Sequence, residues 1–281
     1  MISKYHQANA IYPVSLSLRI KKASESKHFY TQVLGFSIVE ETDDHIYYTI
    51  NGKDIILKTL IDLSASDRQL TQGLYHVAFL LPDKSALGQL IYHIAKTQYP
   101  ITGGADHGIS DALYLNDPDG NGIELYVDKD PTYWKDIDTH PEKIENQPFD
   151  YKYYLSVNPT QFTKIDSNTL LGHMHQHTID LKASSDFYQR VLGYDLILNI
   201  HSAHFLSSKS YHHHLALNTW VNPVRAKTNA VGLVDVTYRL HTDNHFNHAL
   251  QALSEIGAIY NLHNDVIYTK DPDGVHLTLK K

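Results

Sequence analysis

The sequence predicts an α+β fold of four βαβββ units, and three observations lead there. The first is internal repetition. Lys22-Ala23-Ser24 precedes Phe29-Tyr30-Thr31-Gln32-Val33-Leu34-Gly35-Phe36, and Lys182-Ala183-Ser184 precedes Phe187-Tyr188-Gln189-Arg190-Val191-Leu192-Gly193-Tyr194. The second is a pair of matching segments, Gly73-Leu74-Tyr75-His76-Val77-Ala78-Phe79 and Gly232-Leu233-Val234-Asp235-Val236-Thr237-Tyr238. The third is a turn that occurs twice, Asp117-Pro118-Asp119-Gly120 and Asp271-Pro272-Asp273-Gly274.

Taken in order, 14–20 and 173–181 alternate apolar and polar residues as strands do. Each leads to a Ser-capped amphipathic helix that ends at a C′ glycine and runs into a further strand. The other two units start at the Gly-Leu segments and continue into helical patterns over 85–97 and 245–256. Unit limits are roughly 12–60, 72–128, 170–221 and 231–280, so 1–128 holds the first two units and 169–281 the last two. Between them, 129–168 reads as a linker. Pro131, Pro141, Pro148 and Pro159 break regular structure there, while Tyr133, Trp134, Tyr151, Tyr153 and Tyr154 predict that it packs on the body.

The turn at Asp117 feeds the alternating run Ile123-Glu124-Leu125-Tyr126-Val127. Pro118 presets its own φ, and the glycines supply conformations that a Cβ would forbid. Ile123, Leu125 and Val127 share one strand face, while Glu124 and Tyr126 share the other. A carboxylate held mid-strand in this way is well placed to ligate a metal.

The chain has 281 residues, 42% hydrophobic and 20% charged, an ordinary globular composition. With no cysteine, disulfides, thiolate metal sites and cysteine nucleophiles are excluded. A net charge of −7 argues against nucleic acid as the main partner. Neither a signal peptide nor a run long enough to span a membrane is visible, and a cytoplasmic location is expected. The unusual counts are 20 His and 20 Tyr, some of them clustered beside strand patterns.

Four such units with Phe-Tyr-x-x-Val-Leu-Gly helices and the Asp-Pro-Asp-Gly-Asn turn resemble the vicinal oxygen chelate superfamily. That superfamily includes glyoxalase I, extradiol ring-cleaving dioxygenases and bleomycin-resistance proteins. The resemblance covers nearly the whole chain apart from the linker. It implies curved mixed sheets that form two cups, with ligands on the first strand of a unit and on the last strand. Mapped onto the units in turn, those positions hold Pro13 in the first, and His76 and Glu124 in the second. The third offers His173, and the fourth Asp235 and Thr278. The set implied is therefore His76, Glu124 and His173, with His175 as runner-up to His173. For these to meet, the second and third units must share one cup, leaving the first and fourth as a metal-free cup. Two imidazoles and one carboxylate with open positions suit Fe(II) oxygen chemistry, with Mn(II), Ni(II) or Zn(II) as alternatives.

Tyr211-His212-His213-His214-Leu215-Ala216-Leu217-Asn218-Thr219-Trp220 is similar to a stretch of the catechol 2,3-dioxygenase-like branch, where a histidine serves as acid–base catalyst. Strand alternation puts His212 and His214 on one face and His213 on the other; matching the apolar pattern to that branch favours His213 for the role, and a one-residue shift favours His214. Ala105-Asp106-His107-Gly108 and Ala112-Leu113-Tyr114 resemble the same branch, and imply His107 and Tyr114 as substrate-pocket residues. The expectation is an Fe(II)-dependent extradiol dioxygenase that takes a small aromatic diol and O₂; a homodimer is compatible with it. The alternatives are a glyoxalase-type lyase or isomerase, and a non-catalytic protein that binds a drug or metabolite. A glyoxalase would carry a second carboxylate, where this chain has its histidine run.

Overall fold

The fold was analysed in a computed structural model, which describes residues 4–7, 9–137, 139–140, 144, 146–227 and 229–281. Pro141 of the linker lies outside the described residues.

The first unit comprises β1 (Tyr12–Ile20), α1 (Ala23–His28), β2 (Ser37–Glu41), β3 (His45–Thr49) and β4 (Ile55–Ile61). The second comprises β5 (Gly73–Leu80), α2 (Lys84–Thr97), β6 (Ile101–Asp106), β7 (Ser110–Asn116) and β8 (Gly122–Asp128). The linker adds β9 (Gln147–Pro148) and α3 (Tyr151–Val157). The third has β10 (Leu170–His177), α4 (Leu181–Leu192), β11 (Asp195–Ile200), β12 (Ala203–Ser207) and β13 (Leu215–Asn218). The fourth has β14 (Gly232–Arg239), α5 (Asp243–Glu255), β15 (Tyr260–His263), β16 (Val266–Lys270) and β17 (His276–Lys280).

Two mixed sheets result. One has the order β15-β16-β17-β14-β1-β4-β3-β2, the other β11-β12-β13-β10-β5-β8-β7-β6-β9. Antiparallel pairing of β1 with β14 joins the first unit to the fourth, and pairing of β5 with β10 joins the second to the third. Alternation sends Val77, Phe79, Ile123 and Leu125 into a core that also draws Leu18, Leu57, Tyr188 and Leu277 from the other units. Their neighbours Ala78, Leu80 and Tyr126 lie in a separate small cluster with Ala112, against which Tyr114 packs.

The repeated motifs lock onto each other along a different diagonal. Tyr30 of the first unit donates its hydroxyl to Asp117 of the second unit's turn at 2.9 Å, and Tyr188 of the third does the same to Asp271 of the fourth at 2.9 Å. Asp119 then accepts from the backbone N–H groups of Lys21 and Lys22, while Asp273 accepts from Ile179 N–H and the Thr178 and Ser184 hydroxyls. Gly120 and Gly274 close these turns at φ +86° and +89°, the left-handed region that favours glycine. The expected serine caps are not what starts the helices. Asp180 caps α4 through Ala183 N–H, and Ser184 sits inside the first turn with its hydroxyl on Asp273. Lys22 at the start of α1 makes no side-chain cap, and the helix passes into a π-helical turn over Phe29–Val33.

The linker packs on the body unevenly. Trp134 and Tyr154 are buried, and Tyr154 donates to Asp111 at 2.6 Å, whereas Tyr133, Tyr151 and Tyr153 are exposed. Among the described residues, no helix is long and apolar enough to cross a membrane.

Candidate metal centre

Register across the second sheet fixes the site. Tyr114 on β7 lies opposite Glu124 on β8, Glu124 opposite Ala78 on β5, and Ala78 opposite His173 on β10. The small Ala78 side chain stands between the carboxylate and the imidazole, and His76 is two residues along β5 on the same face. His76 Nε2 comes to 2.8 Å and His173 Nε2 to 3.3 Å from one oxygen of Glu124. All three side chains are buried, and their potential ligand atoms lie within 4.8 Å of one another.

Hydrogen bonding alone does not account for this cluster. Although His76 Nε2 is close to the Glu124 oxygen, it is not aligned as a donor, and it has no hydrogen-bond partner. A buried nitrogen left so costs about 1–3 kcal/mol, which a shared cation would remove. Burial would push the Glu124 carboxyl up, but His173 and His76 outweigh it and hold the group well below the usual carboxylate range. Burial likewise lowers His173 below its ordinary value. An ionised carboxylate beside an imidazole that resists protonation is the donor set a divalent cation requires. The residues present fit such an ion.

His175, the runner-up, is opposite His76, and its Nε2 accepts from the Asn218 amide at 2.8 Å. It is not part of the ligand cluster among the described residues. Asn218 also holds His177 Nδ1 at 2.7 Å. One asparagine thus ties down the two remaining histidines of the strand.

The histidine run departs from the sequence reading. β13 begins at Leu215, so His212, His213 and His214 precede the strand and do not alternate as strand residues do. His212 and His213 meet Nδ1 to Nδ1 at 2.8 Å, and the His213 ring lies 4.1 Å from that of His173. His214 is separated from them: its Nε2 is 3.0 Å from the Tyr5 carbonyl oxygen, and Ser207 Oγ and Ser208 N contact its Nδ1 at 3.1 and 3.3 Å. Both of its nitrogens are therefore engaged away from the ligand cluster. Burial, with neighbouring histidines adding to it, holds His213 well below its ordinary value.

On the opposite flank, the Tyr114 hydroxyl contacts His107 Nε2 at 2.7 Å, and His107 Nδ1 contacts the Asn146 side-chain oxygen at 2.5 Å. An amide oxygen can only accept, so Nδ1 of neutral His107 carries the hydrogen and Nε2 accepts from Tyr114. Burial, reinforced by the nearby Glu124 charge, raises the Tyr114 hydroxyl far above its ordinary value. Asn146 comes from the linker, where nothing in the sequence pattern marked it. Tyr126 also went unmarked as a site residue, although its place two residues after Glu124 was a usable signal. Its ring lies 4.9 Å from His173, and its hydroxyl occupies space that a Cβ on Gly172 would fill. Phe205, Tyr75 and Trp220 complete an aromatic border beside His213 and His175.

The fold and this cluster define a class. Residues 13–125 and 170–262 match the profile of the Glyoxalase/Bleomycin resistance protein/Dioxygenase superfamily, and the chain belongs to that superfamily. Within it, the chain is 34% identical over 270 residues to the catechol-2,3-dioxygenase of Bacillus subtilis (strain 168), covering 93% of this chain and 94% of that one. The chain is accordingly a dioxygenase-like enzyme of the superfamily. Its fold recurs among solved structures. A candidate dioxygenase from Bacillus subtilis superposes with a TM-score of 0.66 at 15% identity, over 97% of this chain and 86% of that one. Glyoxalase I from Zea mays gives 0.59 at 15% identity, over 96% and 92%.

Proposed function

We propose that the protein is an Fe(II)-dependent extradiol ring-cleaving dioxygenase of a catechol-like substrate, with His76, Glu124 and His173 as the metal ligands. The observation that carries the reading is the buried convergence of two imidazoles and one carboxylate, with His76 Nε2 left without a hydrogen bond. When bound, iron(II) would supply open positions for two adjacent hydroxyl oxygens and for O₂.

The remaining roles fall to side chains on the two flanks. Tyr114, kept protonated by its buried setting, gives its proton to His107 Nε2 in a hydrogen bond, so its oxygen can accept one from a substrate hydroxyl. Asn146 holds the His107 ring in the tautomer this needs. His213 stays neutral and serves as the acid–base group, taking a proton from the diol and returning it during ring opening. Phe205, Tyr75 and Trp220 suit a flat aromatic ring and limit access of water.

A glyoxalase-type lyase would use a second carboxylate ligand, and among the described residues Glu124 is the one carboxylate in the cluster. Anaerobic loading with Fe(II), followed by oxygen and a panel of catechols, tests the proposal. A yellow ring-opened product is expected; an iron-loaded protein that stays colourless across the panel would overturn the reading. Loading with Mn(II), Ni(II) or Zn(II) in parallel identifies the metal that supports turnover.

A further inference from the structure

We infer that Asp128 and His212 are positioning residues for His213, fixing which of its ring nitrogens is left bare. The inference rests on the reading of His213 as the acid–base group. Alternation along β8 places Glu124, Tyr126 and Asp128 at successive positions of one face, so the strand that carries the carboxylate ligand also carries this second carboxylate. An Asp128 oxygen lies 2.9 Å from His212 Nε2, and the Tyr211 hydroxyl donates to the same carboxylate at 3.0 and 3.1 Å. A carboxylate can only accept, so His212 Nε2 carries a hydrogen, and the neutral ring has a bare Nδ1. That atom is 2.8 Å from His213 Nδ1, which must then be the donor. His213 is left with Nε2 bare, ready to receive a proton.

The packing around His212 holds this geometry. Its side chain is fully buried, Tyr211 lies 3.9 Å from its ring, and Trp134 of the linker meets it edge-on at 5.1 Å.

Imidazole ¹⁵N spectra of the metal-free protein test the inference, with His213 assigned by its loss in His213→Gln. The wild type is expected to show His213 with hydrogen on Nδ1 and Nε2 bare, and Asp128→Leu, which removes the acceptor, to shift that tautomer balance. Tyr211→Phe keeps the Asp128–His212 contact and should leave the balance unchanged. In the iron-loaded enzyme, Asp128→Leu should lower kcat about 10- to 100-fold with KM within about twofold, and Asp128→Asn, whose amide oxygen still accepts, should recover part of the loss. A wild-type His213 with hydrogen on Nε2, or one indifferent to Asp128→Leu, overturns the inference; so does a shift in Tyr211→Phe. If Asp128→Leu does not fold, the wild-type and Tyr211→Phe spectra still decide. The expected tautomers in a protein that turns over no catechol would uphold the inference while the dioxygenase reading fails.

Discussion

The two sheets share a strand plan and differ in what stands at corresponding positions. In the sheet that joins the second and third units, those positions hold His76, His173 and Glu124; in the other they hold Asp235, Pro13 and Thr278. Asp235 is satisfied locally, accepting from the Thr278 hydroxyl at 2.8 Å and from Thr237 at 3.4 Å. His76 Nε2 has no such partner. The same backbone thus supports a polar cluster that closes on itself and one whose donors converge on a point between them. The difference lies in which side chains are available to pair.

Removing the carboxylate from the convergent cluster should have the largest effect. Glu124→Ala is expected to bring bound metal, measured by elemental analysis after Fe(II) loading, from about one ion per chain to background, and activity with it. Retained metal would break the contrast between the sheets. Next, His213→Ala should keep its iron but lose about 10²- to 10⁴-fold in kcat, the usual range for an acid–base group.

The two turns sharpen the same comparison through stability. Burial, with Asp273 adding to it, pushes the Asp271 carboxyl up to about 7. Asp117 is raised too, but there the Asn121 amide donates to the carboxylate, where the fourth unit has Val275. Between about pH 4 and pH 7 the unfolded chain has released the Asp271 proton while the folded chain keeps it, so this group's contribution falls as pH rises through that window. Asp271→Asn should flatten the dependence, recovering on the order of 2–4 kcal/mol at pH 7 relative to pH 4 in denaturant titrations of the metal-free protein. An unchanged pH profile would mean that Asp271 ionises normally. A smaller effect is expected from Tyr114→Phe, which removes the hydroxyl proposed to meet the substrate and should raise KM about tenfold with iron retained. Smallest of all, Asp235→Asn should leave metal content and turnover at wild-type levels; a loss there would mean that the other sheet takes part in the chemistry.

How much was legible follows from how local each signal is. The helix motifs, the Asp-Pro-Asp-Gly turns and the alternation around Glu124 are short-range patterns, and they were readable together with the position of His76. The face of His213 was not, because alternation holds only within a strand and residues 212–214 lie ahead of β13. Ser184 reads as a cap from spacing alone, yet its hydroxyl is taken by Asp273, 89 residues away. Asn146 reaches His107 across the chain, and the buried His6 of the N-terminus reaches the Gly172 carbonyl and the rings of Tyr12, Tyr211 and His214. Contacts between such distant segments leave no periodic trace in a sequence.

The two diagonals of the fold have a consequence for its assembly. Sheets tie the first unit to the fourth and the second to the third, while the tyrosine–aspartate locks tie the first to the second and the third to the fourth. Cut within 158–164, the polypeptide would yield fragments that each expose one open edge on two strands, β1 and β5 or β10 and β14, which keep their other neighbours. Open edges of that kind seek any available strand, so either fragment made alone should aggregate or pair with its own copies. Produced together, they carry complementary edges, and a nicked enzyme should reassemble from its pieces.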